Sequence, residues 1–92
     1  MGVSLVEREV QIKNKLGLHA RPAAMVVKSV SRFKSEIRFI KDDLVVNGKS
    51  ILSVMGLAAE KGSIIKIRVE GEDEDQALEE LVGLFESKFG EE

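Results

Sequence analysis

Residues 17–24, Gly17-Leu18-His19-Ala20-Arg21-Pro22-Ala23-Ala24, mark the point where an extended segment gives way to an amphipathic helix. Ahead of them, Leu5 to Ile12 ends in polar–apolar alternation through Val10 and Ile12, the period of a strand, and Lys13 to Gly17 reads as a loop. Behind them, Ala20, Ala23, Val27 and Val30 share one helical face with Val26 beside them, while Lys28, Ser29 and Arg32 face away. Pro22 suits a first helical turn, where its missing N–H is not required. The helix is expected to end near Ser31 and Arg32.

Working outward, Glu36 to Lys41 reads as a second strand with Ile37 and Phe39 inward, Asp42-Asp43 as a turn, and Leu44 to Val46 as a short third strand. Asn47 to Ser50 breaks that strand. A short helix is expected from Ile51 to about Ala59, ended by Lys61-Gly62. Ile65, Ile67 and Val69 alternate with Lys66, Arg68 and Glu70 as a fourth strand. Asp73, with Gln76 three residues on, has the form of a capping box, and Leu78, Leu81, Val82, Phe85 and Phe89 would be the apolar stripe of a final helix. The order β-α-β-β-α-β-α, without repeats or linkers, predicts a single domain over 1–92 with helices covering one face of a sheet.

Composition narrows the function. Fourteen basic against sixteen acidic residues leave a net charge of −2, which argues against a nucleic-acid backbone as partner. There is no Trp or Tyr to stack bases, and the four Phe fall at apolar-periodic positions. The absence of Cys excludes disulfides, thiolate zinc sites and thiol catalysis, and one His makes a poor structural metal site, so neither metal nor cofactor is expected. Met1 to Arg8 lacks the pattern of a signal peptide, Val6 fails the myristoylation pattern, and no apolar run reaches membrane-spanning length. A cytoplasmic protein without membrane insertion is expected.

The single histidine then matters for its place. With His19 as N-cap, the N–H groups of Ala20 and Arg21 point out of the helix start, and the helix dipole favours a phosphate or phosphoryl group there. Arg21 can offer forked donors to phosphate oxygens. Phosphoryl transfer asks mainly for positioning and charge stabilisation, which this constellation supplies. Spacing by itself leaves open an ordinary surface histidine that caps a helix. Gly48-Lys49-Ser50 is not a phosphate-binding loop, because that motif needs Gly at position 43, where Asp43 stands. On local grounds Ser50 is a helix-start residue whose hydroxyl satisfies an orphan N–H.

Gly17 to Ala23 resembles the phosphorylation-site motif of HPr, the histidine-containing phosphocarrier family of the bacterial phosphoenolpyruvate:sugar phosphotransferase system. A second segment, Asn47-Gly48-Lys49-Ser50-Ile51-Leu52-Ser53-Val54-Met55-Gly56-Leu57, resembles the family's regulatory serine region, and the likeness runs from about Val6 to Phe89. The resemblance implies an α+β open-faced sandwich, with three helices on a four-stranded antiparallel sheet. It implies that His19 takes a phosphoryl group on Nδ1 from phosphorylated Enzyme I and passes it to a sugar-specific enzyme IIA. Arg21 would assist both transfers, and the backbone N–H groups of Ala20 and Arg21 would hold the phosphoryl oxygens. Such a chain is a carrier, not an independent catalyst. The resemblance also implies phosphorylation of Ser50 by an HPr kinase/phosphorylase, and a serine-phosphorylated form that binds a transcriptional regulator as corepressor. A nitrogen-related phosphorelay paralogue is a further alternative. Brief encounters with several partners suit a monomer.

The short helix is apolar on two sides, with Ile51, Leu52 and Met55 on one and Val54, Leu57 and Ala58 on the other. Only one side can be buried on a one-layer sheet, so Ala24, Ile51, Leu52 and Met55 are assigned to partner docking. Two positions depart from the family pattern. Ser53 stands where many members have Gly, and Gly56 inside the helix should weaken it by roughly 0.5–1 kcal/mol relative to Ala.

Overall fold

The structure, a computed structural model, describes residues 5–92; Met1 to Ser4, within the expected 1–92 unit and the stretch read for targeting signals, lie outside the described residues. The elements are β1 (Leu5–Gln11), α1 (Ala20–Val30), β2 (Glu36–Lys41), β3 (Leu44–Asn47), α2 (Ile51–Gly56), β4 (Ile64–Glu70) and α3 (Glu74–Glu86), followed by a 3-10 turn at Lys88–Gly90. The four strands form one sheet in the order β1-β4-β2-β3, every pair antiparallel. This is the expected open-faced α+β sandwich.

The alternating strands behave as their period requires. Val10 lies opposite Ile65, Phe39 opposite Ile67, and Ile37 opposite Val69, all turned towards the helices and buried. The opposite face is charged, with Arg68 bonded to Glu7 at 2.5 Å across β4 and β1. Val26 and Val30 of α1 and Leu81 and Phe85 of α3 close the core from above, and Phe39 meets Phe85 at 6.0 Å between ring centroids. Ala20, expected on the buried stripe of α1, is exposed at its start.

Three local expectations are corrected. The short helix ends at Gly56 and does not reach Ala59, because Ala58 turns into the left-handed region (φ 50°) and the chain tucks Leu57 and Ala59 into the core. Asp73 is the N-cap of α3 but makes no capping bond with its side chain, so no capping box forms. Its carboxylate instead receives the N–H groups of Lys34 and Ser35 and the Ser35 hydroxyl. Phe89 lies beyond α3: Lys88 and Phe89 both adopt positive φ (58° and 55°), reversing the chain. The Phe89 ring still packs edge-on to Phe85 at 4.9 Å, so its spacing marked a core residue but not a helical one.

Candidate functional site

The loop before α1 is fastened to the turn after α2. Gly17 takes φ 69°, and a Cβ there would collide with the Ala59 carbonyl. The next N–H, of Leu18, donates to that same Ala59 oxygen at 2.9 Å, and the Leu18 side chain is buried. His19 therefore arrives at a fixed place. It is the N-cap of α1, with extended backbone, and its carbonyl accepts the first helical bond from the Ala23 N–H at 3.0 Å. The N–H groups of Ala20 and Arg21 precede that first bond and have no helical partner.

The His19 side chain does not fold back to cap its own helix. It is 35% exposed, and its Nε2 lies 3.0 Å from both carboxylate oxygens of Glu91, seventy-two residues later. Glu91 is held from a second side, because Asn14 Nδ2 donates to Oε1 of Glu91 at 3.1 Å and to the Gly17 carbonyl at 2.8 Å. Asn14 is fully buried, and its Oδ1 has no partner among the described residues. The hydrogen bond from His19 draws the Glu91 carboxyl below the usual range, helped by Asn14 and the nearby Arg21 charge, against a smaller opposing effect of burial.

Arg21 is exposed on the first turn of α1 and makes no hydrogen bond or ion pair among the described residues. Together with His19, Lys15, Leu16, Glu91 and Glu92 it surrounds an open depression of about 450 Å³. An adjoining depression of about 320 Å³ places Met55 and Ala58 beside His19 and Leu16. An anion in the first depression would meet the Arg21 guanidinium, Lys15 and a helix start, and would share the space with Glu91 and Glu92.

The short helix sorts its two apolar sides as burial demands. Val54 and Leu57 enter the core, whereas Ile51, Leu52 and Met55 are 42%, 82% and 38% exposed. Ala58 faces out as well, and Ala24 is exposed on α1, which packs against α2. Ser50 is the N-cap of α2; its hydroxyl accepts the Ser53 N–H at 3.3 Å, and the residue is partly exposed.

Of the residues that the sequence sets around one spot, His19 and Arg21 line one depression and Met55 lies beside His19 in the next; Ala20 is exposed at the helix start between His19 and Arg21. The sequence reading missed Asn14 and Glu91. Asn14 read as one polar residue in a loop, and Glu91 lies past every periodic segment, where an acidic residue reads as a solvated end.

A family model described as the PTS HPr component phosphorylation site matches residues 6–87. Phosphocarrier protein HPr of Treponema pallidum is 47% identical over 96% of this chain and all of its own length. A crystal structure of HPr from Thermoanaerobacter tengcongensis superposes with a TM-score of 0.90 at 50% identity, covering 95% of this chain and 98% of that one. A structure described as an HPr dimer from the same organism superposes with a TM-score of 0.76 at 51% identity, covering 89% and 94%.

Proposed function

The chain belongs to the HPr family of phosphocarrier proteins of the phosphotransferase system, and we propose that it relays a phosphoryl group from phosphorylated Enzyme I to sugar-specific enzyme IIA through phosphohistidine at His19. The observation that carries this reading is the placement of a half-exposed imidazole at the open start of an eleven-residue helix, beside a guanidinium that has no ion-pair partner among the described residues.

The chemistry follows from that placement. The ring nitrogen attacks phosphorus as the donor's bond to phosphorus breaks. The N–H groups of Ala20 and Arg21 and the Arg21 guanidinium receive the equatorial oxygens, where negative charge is spread during transfer. The same contacts serve the onward step, so the protein ends each cycle unchanged and acts as a carrier, not an independent catalyst. Ala24, Ile51, Leu52 and Met55 form the docking surface; a flexible Met among them suits several partners in turn. The carrier works in the cytoplasm as a monomer.

Ser50 is the regulatory position in this reading. Its hydroxyl borders exposed Ile51 and Leu52, so a phosphate would set about two negative charges beside the docking surface and slow loading of His19. Two incubations test the scheme. With phosphoenolpyruvate and Enzyme I, wild type should gain an acid-labile phosphate that His19→Ala lacks; equal labelling of both would overturn the relay. Ser50→Asp should be loaded more slowly than wild type, and an unchanged rate would remove the regulatory role.

A further inference from the structure

We propose that Glu91 is a positioning residue for transfer at His19, holding the imidazole hydrogen on Nε2 so that the lone pair stays on Nδ1; this rests on the relay reading above. Both Glu91 oxygens lie 3.0 Å from Nε2. An ionised carboxylate only accepts, so the hydrogen between them belongs to the ring. A neutral imidazole has one N–H, which leaves Nδ1 as the nucleophile.

The electron count of the step agrees. The Nδ1 lone pair forms the new bond to phosphorus while the donor's bond breaks and its electron pair returns to the donor. Nε2 keeps its hydrogen throughout. The ring acquires positive charge shared over both nitrogens, and that charge develops next to the Glu91 carboxylate. Onward transfer reverses these changes, and no proton has to leave or arrive. A carboxylate that fixes a histidine tautomer and steadies the cationic ring is the arrangement of the hydrolase triads.

The carboxylate is itself held in place. Asn14 ties Glu91 to Gly17, the Lys15 N–H donates to the main-chain oxygen of Glu92 at 2.6 Å, and buried Phe89 anchors the turn before it. The Glu91 side chain is only 12% exposed. Its negative charge sits on the Nε2 edge, with the ring between it and a phosphoryl group on Nδ1.

The test compares wild type, Glu91→Ala and Glu91→Gln. In ring-labelled protein without any partner, nitrogen NMR at a pH where the ring is neutral should show hydrogen confined to Nε2 in wild type. In Glu91→Ala it should divide between the two nitrogens. Loading by phosphorylated Enzyme I should fall roughly tenfold at saturation in Glu91→Ala, with the half-saturating donor concentration and melting temperature unchanged. Glu91→Gln, a neutral acceptor, should recover part of the rate. An unchanged tautomer or an unchanged saturating rate overturns the proposal. If Glu91→Ala fails to fold, the same two readings on Glu91→Gln decide. If wild type takes no phosphate at His19, the relay reading fails, whereas the nitrogen spectrum still decides where Glu91 places the hydrogen.

Discussion

One carboxylate oxygen of Asp73 receives both the N–H and the hydroxyl of Ser35, at 2.9 and 2.5 Å, while the other receives the Lys34 N–H at 2.8 Å. The entrance of α3 is thereby locked to the entrance of β2, and Gly71 lies so close that a Cβ on it would come within 2.6 Å of the Ser35 hydroxyl oxygen. The Ser35 hydroxyl, followed by the Lys34 N–H, lowers the Asp73 carboxyl from 3.8 to about 2. A carboxyl lowered by folding stabilises the native state above its unfolded value, and that contribution is lost as pH falls through the folded value. Denaturant unfolding is therefore expected to show stability declining between about pH 4 and about pH 2. Asp73→Asn should flatten that decline and be less stable than wild type at pH 7; an equally steep decline in the variant would refute the assignment.

Gly17→Ala should damage both fold and site. Its φ of 69° disfavours a side chain, and the Ala59 carbonyl occupies the space. A cost of about 1–3 kcal/mol is expected in urea unfolding. Because the relief available is a shift of the loop carrying Leu18 and His19, loading of His19 should slow even in the folded fraction. Wild-type rate in that fraction would show that the loop moves without disturbing the ring.

Gly56→Ala should do the opposite. Beyond its chain neighbours and its own helical backbone, no heavy atom of the described residues lies within 4 Å of where its Cβ would stand, and its φ is not positive. The substitution should raise stability by about 0.5–1 kcal/mol by restricting the unfolded chain and favouring the last helical turn. Thermal melting checks this, and a lower midpoint would contradict it.

Leu52→Lys separates docking from folding. At 82% exposure Leu52 contributes little to the core, so the change in stability should stay within about 0.5 kcal/mol. The half-saturating Enzyme I concentration should rise severalfold, while the saturating transfer rate holds. An unaltered concentration dependence would take Leu52 off the docking surface.

The strands and the His19 helix were legible because their periods are unambiguous. Ile65, Ile67 and Val69 alternate with charged residues, and Val26 and Val30 repeat at helical spacing, so burial on one face fixes both elements. The N-cap role of His19 was legible too, since Pro22 dates the helix start to within a residue or two. What could not be read was competition between distant groups. Asp73 has the look of a helix cap, but Lys34 and Ser35 offer it three donors from a loop thirty-eight and more positions earlier. Phe89 repeats the spacing of Phe85 whether the chain continues as helix or reverses, and only the left-handed pair at Lys88 and Phe89 tells the two apart. Glu91 and Asn14 belong to no period at all. Their roles arise from where that reversal aims the chain.

The reversal after α3 makes the imidazole answerable to a segment that lies beyond α3 and the sheet. Loss of the Glu91 carboxylate would remove no residue from any strand or from α1, α2 or α3, and would still unclasp the imidazole. For a carrier, intactness and competence would then be separate properties, and only the second would register the loss.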